Sequence, residues 1–114
     1  MSQHAGLHPE RWARFDFDRQ VLMIANEMHR ATRLSAPGDA PSRRRAYERV
    51  LRLTDLTAQT RPGYGRRREI LRWRGLVGAL YLAEGHDPRA HREALRALLL
   101  LTPASAKQVP LLGL

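Results

Sequence analysis

The sequence predicts an all-α protein, a small up-and-down bundle of four helices, on three observations. Glycine and proline cut the chain into four longer stretches. Within each stretch apolar residues recur at three- and four-residue steps, and nowhere does the alternation of a half-buried strand persist. The breaks are short, and short connections join antiparallel neighbours. A three-helix core with a peripheral fourth helix satisfies the same pattern.

The first helix is expected from about Phe17 to Leu34, with Val21, Ile24, Ala25, Met28 and Ala31 on its apolar side and Asp16 or Asp18 as its cap. It ends at the breaker run "SAPGDAP". The second is expected from about Ser42 to Gln59, stopping before Pro62-Gly63. The third, about Arg66 to Glu84, is apolar round more than one stripe and is expected to be the central helix, stopped by Gly85. Asp87 followed by Pro88 is a cap and first-position pair for the fourth helix, which carries Leu95, Leu98 and Leu99 and runs to Thr102-Pro103. The chain is thus expected to be one helical domain over 1-114, with a polar N-terminal extension (about 1-14) and an irregular C-terminal tail (about 103-114). That tail is either mobile or docks Leu111, Leu112 and Leu114 on a neighbour.

At 114 residues and 13.0 kDa the chain can bury a modest core. It has no cysteine, which excludes a disulfide frame, a thiolate metal site and a thiol nucleophile. The start lacks the apolar segment of a secretory signal, and the longest apolar run, Leu98 to Leu101, is too short for a bilayer. A cytoplasmic location is expected. The formal net charge is +9 and the pI is near 11.4. Lys107 is the only lysine, so the charge is carried by arginine, whose planar fork grips phosphate and stacks on bases.

Catalytic and cofactor patterns are absent from the sequence. Gly63 and Gly65 are followed by neither a Gly-Lys-Ser/Thr ending nor a third glycine after a strand. His86 and His91 are five apart and do not share a helix face as a metal pair would. Nothing assembles a nucleophile, a base and an orienting group, so the expectation is a binding module, not an enzyme, with neither a metal nor a cofactor. Most acids have an arginine at helical spacing: Glu48 with Arg44, Arg45 and Arg52, Asp55 with Arg52, and Glu69 with Arg66 and Arg72. Such spacing reads as surface ion pairing. Asp55, surrounded by Leu53, Thr54, Leu56 and Thr57, reads as a half-buried structural salt bridge.

The arginines cluster. Arg43, Arg44, Arg45, Arg49 and Arg52 follow the start of the second helix, and Arg66, Arg67, Arg68, Arg72 and Arg74 follow the start of the third, with Tyr64 in the turn before it. Cations at helix starts oppose the macrodipole, and a bound phosphate would reverse that by using the free amides, the dipole and the guanidinium forks together. In an antiparallel pair the two clusters fall at opposite ends, a spacing that suits a nucleic-acid strand or duplex. Tyr64 is the candidate for base stacking, whereas Trp73 reads as core first and as a stacking ring second.

The stretches "FDFDRQVLMIANEMHRATRL" and "GYGRRREILRWRGLVGALYLAEG" resemble the first helix and the turn into the third helix of a known family. It comprises the small four-helix-bundle proteins encoded by intervening sequences of ribosomal RNA genes, together with the accessory variability determinants of diversity-generating retroelements. The resemblance implies a homo-oligomer and, for the retroelement type, RNA or DNA binding alongside a reverse transcriptase. The expected function is that of a basic, non-catalytic accessory subunit binding RNA or DNA within an oligomer or ribonucleoprotein complex. The alternatives are a helical protein-interaction adaptor and a nucleic-acid-lining subunit of a CRISPR effector complex. No membrane partner is expected. Apolar surface at Leu76, Leu80, Leu95, Leu98, Leu99 and Leu111 to Leu114 is expected to drive self-association.

Overall fold

Two aspartates set the helix starts that the sequence marks most clearly. The structure of the protein is a computed structural model describing residues 8–60 and 63–114. In it Asp16 accepts a hydrogen bond from the Arg19 amide at 2.8 Å and opens α2, Phe17–Thr32. Asp87 does the same for the Ala90 amide at 3.0 Å, with Pro88 as the first residue of α5, Pro88–Leu99. Side-chain oxygens at these positions satisfy amides that have no partner within the helix. Between them lie α3, Ala40–Thr60, and α4, Tyr64–Leu82. Three one-turn α-helices, α1, Pro9–Trp12, α6, Pro103–Ala106, and α7, Gln108–Leu111, and one turn of 3-10 helix at Pro37–Asp39 complete the described elements. Among the described residues there is no strand, so the fold is all-helical.

Successive long helices run antiparallel. The guanidinium of Arg43, near the start of α3, donates to the Leu34 carbonyl just past the end of α2, and that of Arg67, near the start of α4, donates to Ala58 near the end of α3. Further along, Arg49 meets Glu27, and Tyr81 meets Glu48. α5 packs on both α2 and α4. The core is the apolar stripe of each long helix: Ile24 and Met28 of α2, Val50 and Leu53 of α3, Ile70 and Val77 of α4, and Leu95 and Leu98 of α5 are all buried.

Four expectations are corrected. α3, not α4, is the hub, packing on α1, α2 and α4. α4 buries only Ile70, Trp73 and Val77 among its nineteen residues, because its apolar side chains are spread round its circumference and cannot all face one neighbour. α3 is more polar but keeps its apolar residues on one side. Thr54 and Thr57 join that side by bonding back to Val50 and Leu53 carbonyls at 2.6 and 3.0 Å.

Gly85 is not the stop of α4. The chain leaves the helix in an extended conformation at Ala83, and Gly113 is the one described residue with a positive φ. Leu95, Leu98 and Leu99 are 2% exposed or less and belong to the core, not to an outer surface.

The tail is not irregular. Thr102 caps α6, Ser105 donates to Leu99 at 2.6 Å, and Val109 is buried. At the other end, residues 1–7 of the expected extension and the Arg61-Pro62 part of the second break lie outside the described residues. The described part of the extension is partly core. Trp12 is fully buried, donates from Nε1 to Thr57 Oγ1 at 2.9 Å, and accepts on its carbonyl from Gln20 at 3.0 Å.

Candidate nucleic-acid interface

Every long helix begins with amides that make the local potential positive, so the arginines at the starts of α3 and α4 need a source of negative potential. The antiparallel packing supplies one inside the chain. The last carbonyls of a helix carry the opposite partial charge, and Arg67 reaches one of α3 at 3.0 Å, while Arg43 reaches the Leu34 carbonyl just past the end of α2 at 2.8 Å. In each case the arginine lies nine residues beyond the carbonyl it binds. These two side chains are caps of the preceding helix.

Other predicted phosphate contacts are also engaged. Arg49 donates from Nε to Glu27 Oε2 at 3.0 Å, and Glu27 is 5% exposed, so the arginine neutralises a buried carboxylate that Arg30 also approaches at 3.7 Å. Arg74 holds Asp55 with both oxygens, at 2.6 and 3.4 Å. The hydrogen bond and the carboxylate charge push the Arg74 pKa further up. Asp55 is the structural salt bridge that its apolar neighbours call for, but its partner is Arg74 across the helix pair, not Arg52 on its own helix. The helical-spacing pairs expected of Glu48 and Glu69 with arginine do not form among the described residues.

Two of the predicted arginines lie over rings. The Arg44 guanidinium is 5.2 Å from the Tyr81 ring centre and that of Arg66 is 4.4 Å from the Phe17 ring. Both remain exposed, as does Arg45, whose one bond is to Ser42 Oγ at 3.1 Å. Arg52, Arg68 and Arg72 are exposed and have neither an ion pair nor a hydrogen bond among the described residues. Tyr64 is 76% exposed at the first position of α4. Trp73 is core, with Nε1 donating to the Ala94 carbonyl at 2.8 Å.

The two clusters do lie at opposite ends of the α3–α4 pair. Arg44 sits beside Tyr81, thirteen residues along α4 from Arg68, which at about 1.5 Å per residue is about 20 Å, or roughly six base pairs of duplex rise. Arg67, Arg74 and Tyr81 recur at seven-residue steps and all touch α3, so they form the seam between the two helices. Outside that seam runs an open groove of ≈ 570 Å³ along α3, bordered by Glu48, Arg52, Asp55, Gln59 and Tyr81.

Sequence reasoning missed a polar cluster in the core. His91 is 2% exposed and joins three helices: Nδ1 lies 2.7 Å from Tyr47 Oη, and Nε2 lies 3.0 Å from both the Met28 carbonyl and Thr32 Oγ1. A carbonyl can only accept, so Nε2 carries the proton and Nδ1 accepts from the tyrosine. Burial pushes the His91 pKa down to about 4 in spite of the Met28 bond, with His86 and His29 adding to the fall, and pushes Tyr47 up to about 12. His86 is lowered as well, by burial and by Arg43. Spacing gives no hint of this, because Tyr47 is 44 residues from His91. Among the described residues no three histidines or acids converge as metal ligands would. No protein-family model, curated protein or solved structure matches the chain.

Proposed function

We propose that the protein is a non-catalytic accessory subunit that binds RNA or DNA, built as an up-and-down bundle of four helices and working in the cytoplasm within an oligomer or ribonucleoprotein complex. The observation that carries the reading is the outer side of α3. Arg45 and Arg52 are seven residues apart on that side, about 10 Å along the axis, and Arg44 lies over Tyr81 at its edge. None of the three has a carboxylate partner among the described residues, in a chain of net charge +9. The nearest acids are occupied, Asp55 by Arg74 and Glu48 by the Tyr81 hydroxyl. Guanidinium groups without a carboxylate partner, spaced this far apart, can each meet a phosphate of one strand, and the Arg44–Tyr81 pair offers a flat surface to an unstacked base. Arg66, Arg68 and Tyr64 extend the basic surface at the far end. The resemblance to the intervening-sequence and retroelement accessory proteins supports the same reading and adds a reverse transcriptase as the protein partner to test. No described helix is long and apolar enough to cross a membrane.

The exposed leucines of α4 favour a second reading, a helical protein-interaction adaptor whose charge reflects composition alone. A salt titration separates the two. Binding to a random oligonucleotide should weaken by orders of magnitude from low to moderate salt. Arg44, Arg45 and Arg52 replaced together by glutamine should lower the log–log slope by about two units for a single strand and just under three for a duplex. An undetectable affinity, or a slope unchanged by the triple substitution, leaves the adaptor.

A further inference from the structure

α4 carries an exposed stripe that its own fold does not use. Leu71, Gly75, Gly78 and Leu82 fall within about 60° of one another round the helix. Leu71 is 48% exposed and Leu82 77%. The two glycines weaken the middle of a long helix, since each costs helix stability relative to alanine. Among the described residues, nothing beyond the helix's own adjoining backbone lies within 4 Å of where a Cβ would sit on either one, so no close approach among them calls for glycine. A second backbone passing over the stripe would. Leucines at the ends and glycines between them give knobs and a shallow saddle on a single face.

The stripe also reads the same in both directions, with steps of four, three and four residues. Laid antiparallel on itself about a centre between Leu76 and Val77, it puts Leu71 against Leu82 and Gly75 against Gly78, with Arg68 facing the extended segment that follows Leu82. The charges agree with that alignment. Arg68 at one end and Glu84 at the other are both exposed, and neither has an ion-pair partner among the described residues. We infer that this face of α4 is the contact for a second copy of the chain, two α4 helices crossing antiparallel on a two-fold axis, with Leu71 packed on Leu82 and Arg68 paired with Glu84 at each end. A self-complementary patch of this kind closes a dimer and goes no further. One helix face is smaller than the roughly 800 Å² per partner of a stable interface, so the dimer is weak. It uses none of Arg44, Arg45 and Arg52, so the outer side of α3 stays open in the dimer, whereas Arg68 is withdrawn from the basic surface at the far end.

The test is sedimentation of nuclease-treated full-length protein at moderate salt, where repulsion between two basic chains is screened. From micromolar to several hundred micromolar, the mass should climb from the 13.0 kDa of one chain toward twice that. Gly75→Gln favours the helix of the isolated chain but fills the saddle, so it should raise the dissociation constant at least about tenfold while helical circular dichroism is kept. Arg68→Glu and Glu84→Arg should each associate more weakly than the parent, and their equimolar mixture should recover the parent's affinity, because the mixed pair restores both ion pairs. A monomer mass throughout overturns the inference. So does a dimer that Gly75→Gln leaves intact, or a mixture no stronger than its two components. Loss of salt-dependent oligonucleotide binding in the Arg44/Arg45/Arg52 variant with the mass unchanged would bear on the nucleic-acid reading alone.

Discussion

Acidification should destabilise this protein chiefly through His91, the most deeply buried of its described histidines. The unfolded chain holds it at an ordinary pKa near 6.5, whereas the folded chain holds it at about 4. Folding therefore favours the neutral ring. The stability tied to it is complete above pH 6.5, falls as the pH drops through that value, and is fully lost near pH 4. At about 1.4 kcal/mol per pH unit, the drop from 6.5 to about 4 caps the loss at about 3 kcal/mol, of which about 2 kcal/mol is gone by pH 5. The geometry explains why: a proton on Nδ1 displaces the Tyr47 hydroxyl hydrogen at 2.7 Å and puts a charge into a buried site where His86 and His29 already add positive potential. The assay is urea unfolding followed by circular dichroism at pH 7, 6 and 5, for the parent and for His91→Gln. Glutamine can accept from Tyr47 and donate to Met28 but does not titrate. The variant should be less stable at pH 7 and lose about 2 kcal/mol less than the parent between pH 7 and 5, a difference worth about 10 °C in Tm for a domain of this size. His29 and His86 are present in both proteins and cancel in the comparison. Equal losses in the two proteins would show that the buried imidazole does not govern acid stability.

The helix-end arginines divide by role. Arg67→Gln should lower stability by about 1 kcal/mol, because the Ala58 carbonyl loses a charged donor, while Arg68→Gln should change it by less than about 0.5 kcal/mol; thermal melts of the two single variants check this. A cation at a helix start is unfavourable by the macrodipole alone, and the bond made by Arg67 outweighs that. Arg49→Met should cost about 2 kcal/mol by denaturant unfolding, more than Glu27→Gln, since it takes the nearest cation from a carboxylate that is only 5% exposed whereas the second change removes the charge itself.

Helix positions were legible where a local signal sets them. Asp16, and Asp87 with Pro88, mark their helix starts by chemistry contained within four residues, and α2 and α5 begin where that chemistry says. The rank of the helices was not legible. The apolar content of α4 suggests a central helix, yet centrality depends on whether apolar residues share a side, and those of α4 do not. One-turn helices such as α6 and α7 are too short to show a period at all, so the buried Ser105 and Val109 look like any tail residues. The clustering of arginine was plain, but which arginines are free was not. Arg74 pairs with Asp55 nineteen residues away and Arg49 with Glu27 twenty-two away. Helical spacing sees three or four residues, and these partners meet only once the helices are packed.

The two carbonyl caps have a consequence for how the molecule tolerates change. A turn normally sets the register of the helices it joins, so lengthening it lets them slide. Here Arg43 fastens α3 to the Leu34 carbonyl, just past the end of α2, from beyond the turn at residues 35–39, and Arg49 fastens it to Glu27 further along, so the alignment does not rest on the turn. Inserting a few glycines after Pro37 then adds only chain-closure entropy, about 0.6 kcal/mol for each doubling of loop length. A protease cut at the same place would leave two fragments still held in step. The connection is where a tag, a fluorophore or a split site can be placed without disturbing the outer side of α3.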